Sequence, residues 1–201
     1  MILLTAVAGG LLAGLLRAKI RGRRMTSPNL RFLWLVVTAF ILQLLAFNLP
    51  LTRTKLPDQA ASVSLILSQF MLLVFAWSNR RQYGFRALIV GLALNLLVVV
   101  ANGGWMPISP ETVRRLILFA PAKSWFVGQR FGFGKDVVLP VTETRLWFLS
   151  DCLLLPRWFP YRVAFSIGDA LIALGAFHAL WASAGPEKES TRGSHPQEIK
   201  L

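Results

Sequence analysis

Phe165-Ser166-Ile167-Gly168-Asp169-Ala170-Leu171-Ile172-Ala173-Leu174-Gly175-Ala176-Phe177 sets one acid inside the first turn of a long apolar run. The run continues to about residue 184, where Gly185-Pro186 stops it. Its length approaches the ~20 residues that a helix needs to cross about 30 Å of hydrocarbon. Polar and apolar residues do not alternate in it, so it does not read as a membrane-spanning strand. Four runs of the same kind precede it, over residues 2–16, 32–49, 60–77 and 87–101. The reading is an all-α integral membrane protein of about five transmembrane helices, forming one domain over residues 1–185.

Composition supports this class. Of 201 residues, 55% are hydrophobic and only 15% are charged, whereas a soluble domain carries more charge. The net charge of +13, from 22 Lys+Arg and 9 Asp+Glu, would suggest nucleic acid in a soluble protein. Here the cations flank apolar runs, so the lipid bilayer is the expected partner and nucleic acid is not. Cys152 is the sole cysteine, which excludes an intramolecular disulfide and a cysteine metal site. His178 reads as a hydrogen-bonded core histidine, and neither a metal nor a cofactor is expected.

Orientation follows from where the cations fall. Arg17, Lys19, Arg21, Arg23, Arg24 and Arg31 follow the first run, and Arg80, Arg81 and Arg86 lie between the third and fourth. Only Arg53 and Lys55 lie between the second and third. Positive-inside counting then puts the N-terminus outside, the loop 102–162 outside, and the C-terminus in the cytoplasm with a polar, disordered tail over 186–201. The expected location is a bacterial cytoplasmic membrane. Ala6, Gly10 and Gly14, and again Gly175, Ala179 and Ser183, form small-residue stripes suited to close helix packing.

The long outer loop carries its own signals. Asn102-Gly103-Gly104 ends a helix, since glycine tolerates positive φ. Ser109 reads as an N-cap with Pro110 and Glu111 in the first turn, which predicts an amphipathic interfacial helix over 110–120, stopped by Pro121. Residues 136–139 suit a short strand, and Thr142-Glu143-Thr144-Arg145 a helix start. The segment 146–156 is too short to span and reads as re-entrant or interfacial. Arg157-Trp158-Phe159, between two prolines, reads as an aromatic anchor.

Two acids sit against strongly apolar sequence, Asp151 and Asp169, and topology puts both at the outer face. They are the candidate catalytic residues, because two carboxylates held close separate their pKa values as acid–base chemistry requires. Ser166-x-x-Asp169 also has the spacing of a capping box, in which the acid serves the helix end. For Asp151 the structural alternative is an ion pair with Arg145 or Arg157. Asn102, Gly103, Gly104, Ser166 and Arg145 lie at the same face and are the candidate binding residues.

The motifs Asn102-Gly103-Gly104-x-Met106-Pro107, Thr144-Arg145-Leu146-x-Phe148-Leu149-x-Asp151 with Pro156, and Ser166-x-Gly168-Asp169 resemble an uncharacterised bacterial polytopic membrane family, a domain of unknown function. That resemblance spans nearly the whole chain and implies about five spans and no established activity. The final helix is also similar, over about residues 151–175, to the last helix of lipoprotein signal peptidases. In that family an Asp follows a Phe-Asn-x-Ala stretch, as Asp169 follows Phe165-Ser166-Ile167-Gly168, and an earlier Asp is matched by Asp151. Ser166 replaces the Asn, the Gly-rich asparagine motif is missing, and there is one span too many. The leading expectation is an accessory or complex-forming membrane protein, docking another membrane protein through a polar or aromatic outer face. An aspartyl membrane hydrolase using Asp151 and Asp169, and a small-solute transporter, are the alternatives.

Overall fold

In the computed structural model the described residues are 2–20, 29–117, 125–132, 134–156, 158–159 and 161–183. The expected tail 186–201, the last turn of the helix expected to reach 120, and Arg157 lie outside them. The chain is mostly α-helical. Helix α1 covers Ile2–Ile20. Helix α2, Leu33–Gln43, widens into a π-helical turn, Leu44–Asn48, before Pro50 opens the single-turn α3, Pro50–Arg53. Helix α4, Asp58–Ser78, starts after Pro57 with an acid in its first turn, where the helix dipole favours one. Helix α5, Phe85–Ala101, is entered through Gly84 at φ 80°. Helix α7, Ile167–Ala182, closes the described chain. Of these, α4 is long and apolar enough to cross a membrane, while α2 with its π turn, α5 and α7 are shorter apolar helices.

The helices pack as a row: α2 on α4, α4 on α5, α5 on α7, and α7 on α1. Close approach depends on glycine. A Cβ on Gly91 of α5 would lie 2.6 Å from the Gly168 carbonyl oxygen and 2.9 Å from the Ile172 nitrogen of α7. Gly10 of α1 also lies tight against the backbone of Phe177, so the small-residue stripe expected in the first run serves the last helix. One core, Leu35, Phe75, Ala76, Phe85 and Leu92, fills the lower half of the row; a second, Leu65, Val98, Val99 and Met106, fills the upper half. Facing away from both, Trp34, Phe40, Val63, Phe70 and Trp77 are exposed.

The loop after α5 folds as a cap on the upper ends. Strand β1, Met106–Ile108, pairs in parallel with β2, Asp136–Val138, so the short strand expected near 136 is present. Between them Ser109 caps α6, Pro110–Leu116, by accepting a hydrogen bond from the Thr112 amide. Pro110, Thr112 and Val113 are buried, and Val113 packs with Ile108 and Val138 in a small core with Trp125 and Phe131. The amphipathic helix therefore faces the cap's own core. The stretch expected to start a helix at Thr142 is a turn, because the chain bends back at Leu146 with φ 56°. Beyond Leu146 the chain makes a 3-10 turn, Trp147–Leu149, and then a strand β3, Leu153–Leu154, antiparallel to β4, Ala164–Phe165. The segment 146–156 thus folds as turn and strand, held by backbone pairing.

Gly91→Ala tests the helix contact. Its methyl meets α7 backbone that cannot turn aside, so about 1–3 kcal/mol of stability is lost, read as a lower thermal unfolding temperature. Gly103→Ala, at φ 72° with open space around it, loses only the roughly 1–2 kcal/mol of a left-handed backbone and leaves the α5–α7 contact intact.

Candidate functional site

The N-terminus of α7 is a capping box, as its spacing predicts: Ser166 Oγ accepts from the Asp169 amide at 2.9 Å, and the Ser166 amide donates to Asp169 Oδ2 at 3.5 Å. The box is also tied to α5. Asn95 Nδ2 donates to Asp169 Oδ1 at 2.7 Å, and Ser166 Oγ donates to Asn95 Oδ1 at 2.8 Å. The contact exists because residue 168 is glycine; a Cβ there would collide with the Asn95 amide. Asn95 is buried and its side chain is satisfied at both ends, which an interior amide requires.

Asp151 reaches the same place from the cap. Its amide donates to the Pro107 carbonyl at 3.2 Å, and its side chain is buried. Its partner is a residue that motif reading passes over. Lys135 Nζ lies 2.9 Å from Asp151 Oδ2, 3.6 Å from Asp136 Oδ1 and 3.9 Å from Asp169 Oδ2. Asp151 and Asp169 therefore converge, with an ammonium between them. Burial pushes the Asp151 carboxyl well above the ordinary carboxylate range, against the pull of Lys135. Burial alone would lower the Lys135 pKa, but Asp151, Asp136 and Asp169 outweigh it and hold the ammonium protonated well above its usual range. An aspartyl dyad places a water between two carboxylates that share a proton. Here a lysine stands in that place, and the arrangement is an ion cluster.

Asn102 caps α5. Its Nδ2 donates to the Val98 carbonyl at 2.8 Å and to the Arg145 carbonyl at 2.9 Å, while the Arg145 amide donates to Asn102 Oδ1 at 2.9 Å. Arg145 thus contributes its backbone, with an exposed side chain, and Lys135 takes the ion-pair position beside Asp151. Gly103 and Gly104, at φ 72° and 90°, turn the chain, and Gly104 presses on Ser62 of α4. His178, expected in the core, is exposed beside the Phe177 and Trp181 rings.

Below the ion cluster lies a cleft of about 460 Å³. Gln43, Gln69, Lys135, Asp136 and Asp169 line its polar part, and Leu3, Leu65, Leu72, Leu92 and Ile172 line its apolar part. Gln43 Nε2 donates to Ser68 Oγ at 3.0 Å, joining α2 to α4. Gln69 is only 9% exposed, and its Oε1, like Asp136 Oδ1, has no hydrogen-bond partner. On the other side of the cap Arg130 pairs with Asp58 at 2.9 Å and stacks on Trp105, its guanidinium 4.7 Å from the ring centre. Among the described residues no cluster of His, Cys, Asp and Glu is arranged to hold a metal.

Lys135, Asp136, Gln43, Gln69 and Asn95 are residues that sequence reading did not place at the site. The one available signal was an adjacent Lys-Asp pair in a glycine-aromatic segment of a strongly basic chain.

Fold and site together define a mostly α-helical protein, with a helix long and apolar enough to cross a membrane and, under a folded cap, a half-buried lysine among carboxylates of which Asp151 is buried. The chain belongs to DUF5317, a family of unknown function, whose model matches residues 27–181. No curated protein and no solved structure matches it, so the local likeness to lipoprotein signal peptidases gains no support there.

The cluster makes a sharp stability prediction. Lys135→Ala leaves Asp151 buried without its cation, a loss of about 3–5 kcal/mol for a fully buried pair. The lower end is expected, because the Lys135 side chain keeps 34% of its surface exposed. Adding Asp151→Asn recovers part of it, a coupling readable in a double-mutant cycle of thermal unfolding. The deficit of Lys135→Ala shrinks as pH falls: the folded variant holds a proton on Asp151 at a pH where the unfolded chain, at the ordinary 3.8, has lost it.

Proposed function

We propose that the chain is a five-span protein of a bacterial cytoplasmic membrane. Its N-terminus is outside, its C-terminus is cytoplasmic, and the loop 102–162 is a cap on the outer ends of the helices. It acts as an accessory protein without a catalytic centre, presenting a polar site under the cap and docking another membrane protein at the outer face. Apolar side chains exposed around the helix row support the membrane placement, since water-facing helices carry charge on their outer sides. In the short loops, two cations, Arg53 and Lys55, lie at the capped end and nine at the opposite end, which supports the orientation; the 102–162 cap, with eight cations of its own, is too long to count.

The observation that carries the accessory reading is the lysine inside the acid cluster. It neutralises the carboxylates that a hydrolase would need free. Trp147, Phe148 and Trp158 are exposed on the cap and suit the docking role, as aromatic side chains dominate interface energetics.

Cys152 tests the topology. It is half-buried, and burial raises its pKa, so alkylation is slow at neutral pH and speeds up as pH rises. A membrane-impermeant maleimide is expected to label it from outside in intact spheroplasts. Labelling only in inverted vesicles would reverse the orientation. Co-purification of a stoichiometric membrane partner, lost on Trp158→Ala and Phe148→Ala together, is the expected result for docking; a solitary monomer at native expression levels would end that reading.

A further inference from the structure

The cleft under the ion cluster has a one-sided chemistry. Its buried polar atom without a partner, Gln69 Oε1, is an acceptor, and Asp136 Oδ1 beside it has no hydrogen bond and only a 3.6 Å ion pair with Lys135. Its charged groups are Asp136, Asp169 and Lys135, with Asp151 just behind the lysine, so carboxylates outnumber the single ammonium. Asp169 retains 28% of its side-chain surface and opens into the same space. A buried acceptor with no donor costs free energy until a ligand supplies one.

Gln69 stands at the depth of these acids. On α4 it follows Leu65 by one turn, and Leu65 packs with Val98 and Val99 of the antiparallel α5, one turn from Asn95. Asn95 in turn holds Asp169. The acceptors therefore converge on one level of the bundle. Beneath that level the walls are Leu72, Leu92 and Ile172. Leu3 of α1 and Phe47 beyond α2 also line the cleft, and α1 and α2 are the two ends of the helix row. The cleft's natural exit is between them, toward the surroundings of the row. Its volume of about 460 Å³ equals about fifteen liquid waters, room for a small head group and the first part of a chain.

We infer that the cleft binds a single membrane lipid with a primary-ammonium head. The ammonium N–H groups donate to Asp136, Asp169 and the Gln69 carbonyl, and the acyl chain runs down the Leu72–Leu92–Ile172 wall and leaves between α1 and α2. This deepens the proposed function and rests on its membrane placement. A quaternary ammonium has no N–H and leaves Gln69 Oε1 unpaired, and an anionic head meets more carboxylates than cations, so both bind more weakly.

The test uses the full-length protein purified in detergent and titrated with phosphatidylethanolamine, phosphatidylcholine or phosphatidylglycerol of identical acyl chains. Retained lipid is counted by native mass spectrometry, and thermal unfolding is followed in parallel. Phosphatidylethanolamine is expected to bind about tenfold tighter than either other lipid, the worth of a hydrogen bond to a charged group. Gln69→Leu should erase most of that preference while the lipid-free unfolding temperature stays close to wild type; Asp136→Asn should also weaken the preference, with some loss of lipid-free stability because Asp136 helps hold Lys135; Gln69→Glu should keep it. Equal retention of the ethanolamine and choline lipids, or a wild-type preference in folded Gln69→Leu, would overturn the inference. If free ethanolamine protects the protein as well as the lipid does, the acyl chain plays no part and the lipid assignment falls. Extraction of the protein from cell membranes by alkaline carbonate would overturn the membrane placement itself, whereas carbonate-resistant protein without head-group preference sinks only the lipid site.

Discussion

The Lys135 ammonium is the contact on which the arrangement of the cap depends. A buried carboxylate such as Asp151 is tolerated only with a cation or enough hydrogen bonds beside it. Lys135 supplies the cation and reaches Asp136 and Asp169 from the same position. These acids come from different pieces of chain: Asp136 starts β2, Asp151 lies just after the 3-10 turn, and Asp169 sits in the first turn of α7. Holding one ammonium among them draws the cap onto the helix row. The β1–β2 pairing then carries Met106 into the upper core, where it meets Leu65 and Val98. Electrostatics here sets register, and apolar burial supplies the larger share of stability.

A second device recurs at opposite ends of the row. Asn79 ends α4 and Asn102 ends α5. Each returns a hydrogen bond to its own helix, to the Phe75 and Val98 carbonyls respectively. Each also exchanges a pair of bonds with one distant backbone residue, Asn79 with Arg31 and Asn102 with Arg145. The carboxamide is suited to this because it carries a donor and an acceptor side by side, as a peptide does. One side chain thus satisfies orphan carbonyls at a helix end and fixes the segment that crosses it. The same repetition explains Asn102 more simply than a ligand role does, and it moves attention from the helix terminus to the cleft beneath the lysine.

The cleft itself exists because polar residues gather at one level of an apolar row. Gln43 meets Ser68, and Asn95 meets Ser166 and Asp169, each pair joining two helices. Gln69 stands in the same layer with its carbonyl oxygen unsatisfied. A fully paired layer would serve packing alone; an orphan acceptor facing space is what separates a site from a seam.

Much of this was legible in the chain. The apolar runs, their glycine stripes, the Ser109 cap, the Ser166–Asp169 capping box and the helix end at Asn102 depend on neighbours a few residues apart, and local sequence determines them. The convergence of Asp151 and Asp169 could be suspected from apolar context. Other elements depended on distant partners. The segment 146–156 has the composition of an interfacial helix yet forms a turn and a strand, because β4 and the Pro107 carbonyl claim its backbone. Arg145 or Arg157 was the expected cation for Asp151; Arg157 lies outside the described residues, and Arg145 has its amide and carbonyl held by Asn102 and its side chain exposed. Lys135 lies in a glycine-aromatic loop with no periodicity to aim it. Only the tertiary fold decided that it, rather than any of the more numerous arginines, would enter the carboxylate cluster, because charge pairing is chosen by proximity in space, and the sequence alone records proximity only along the chain.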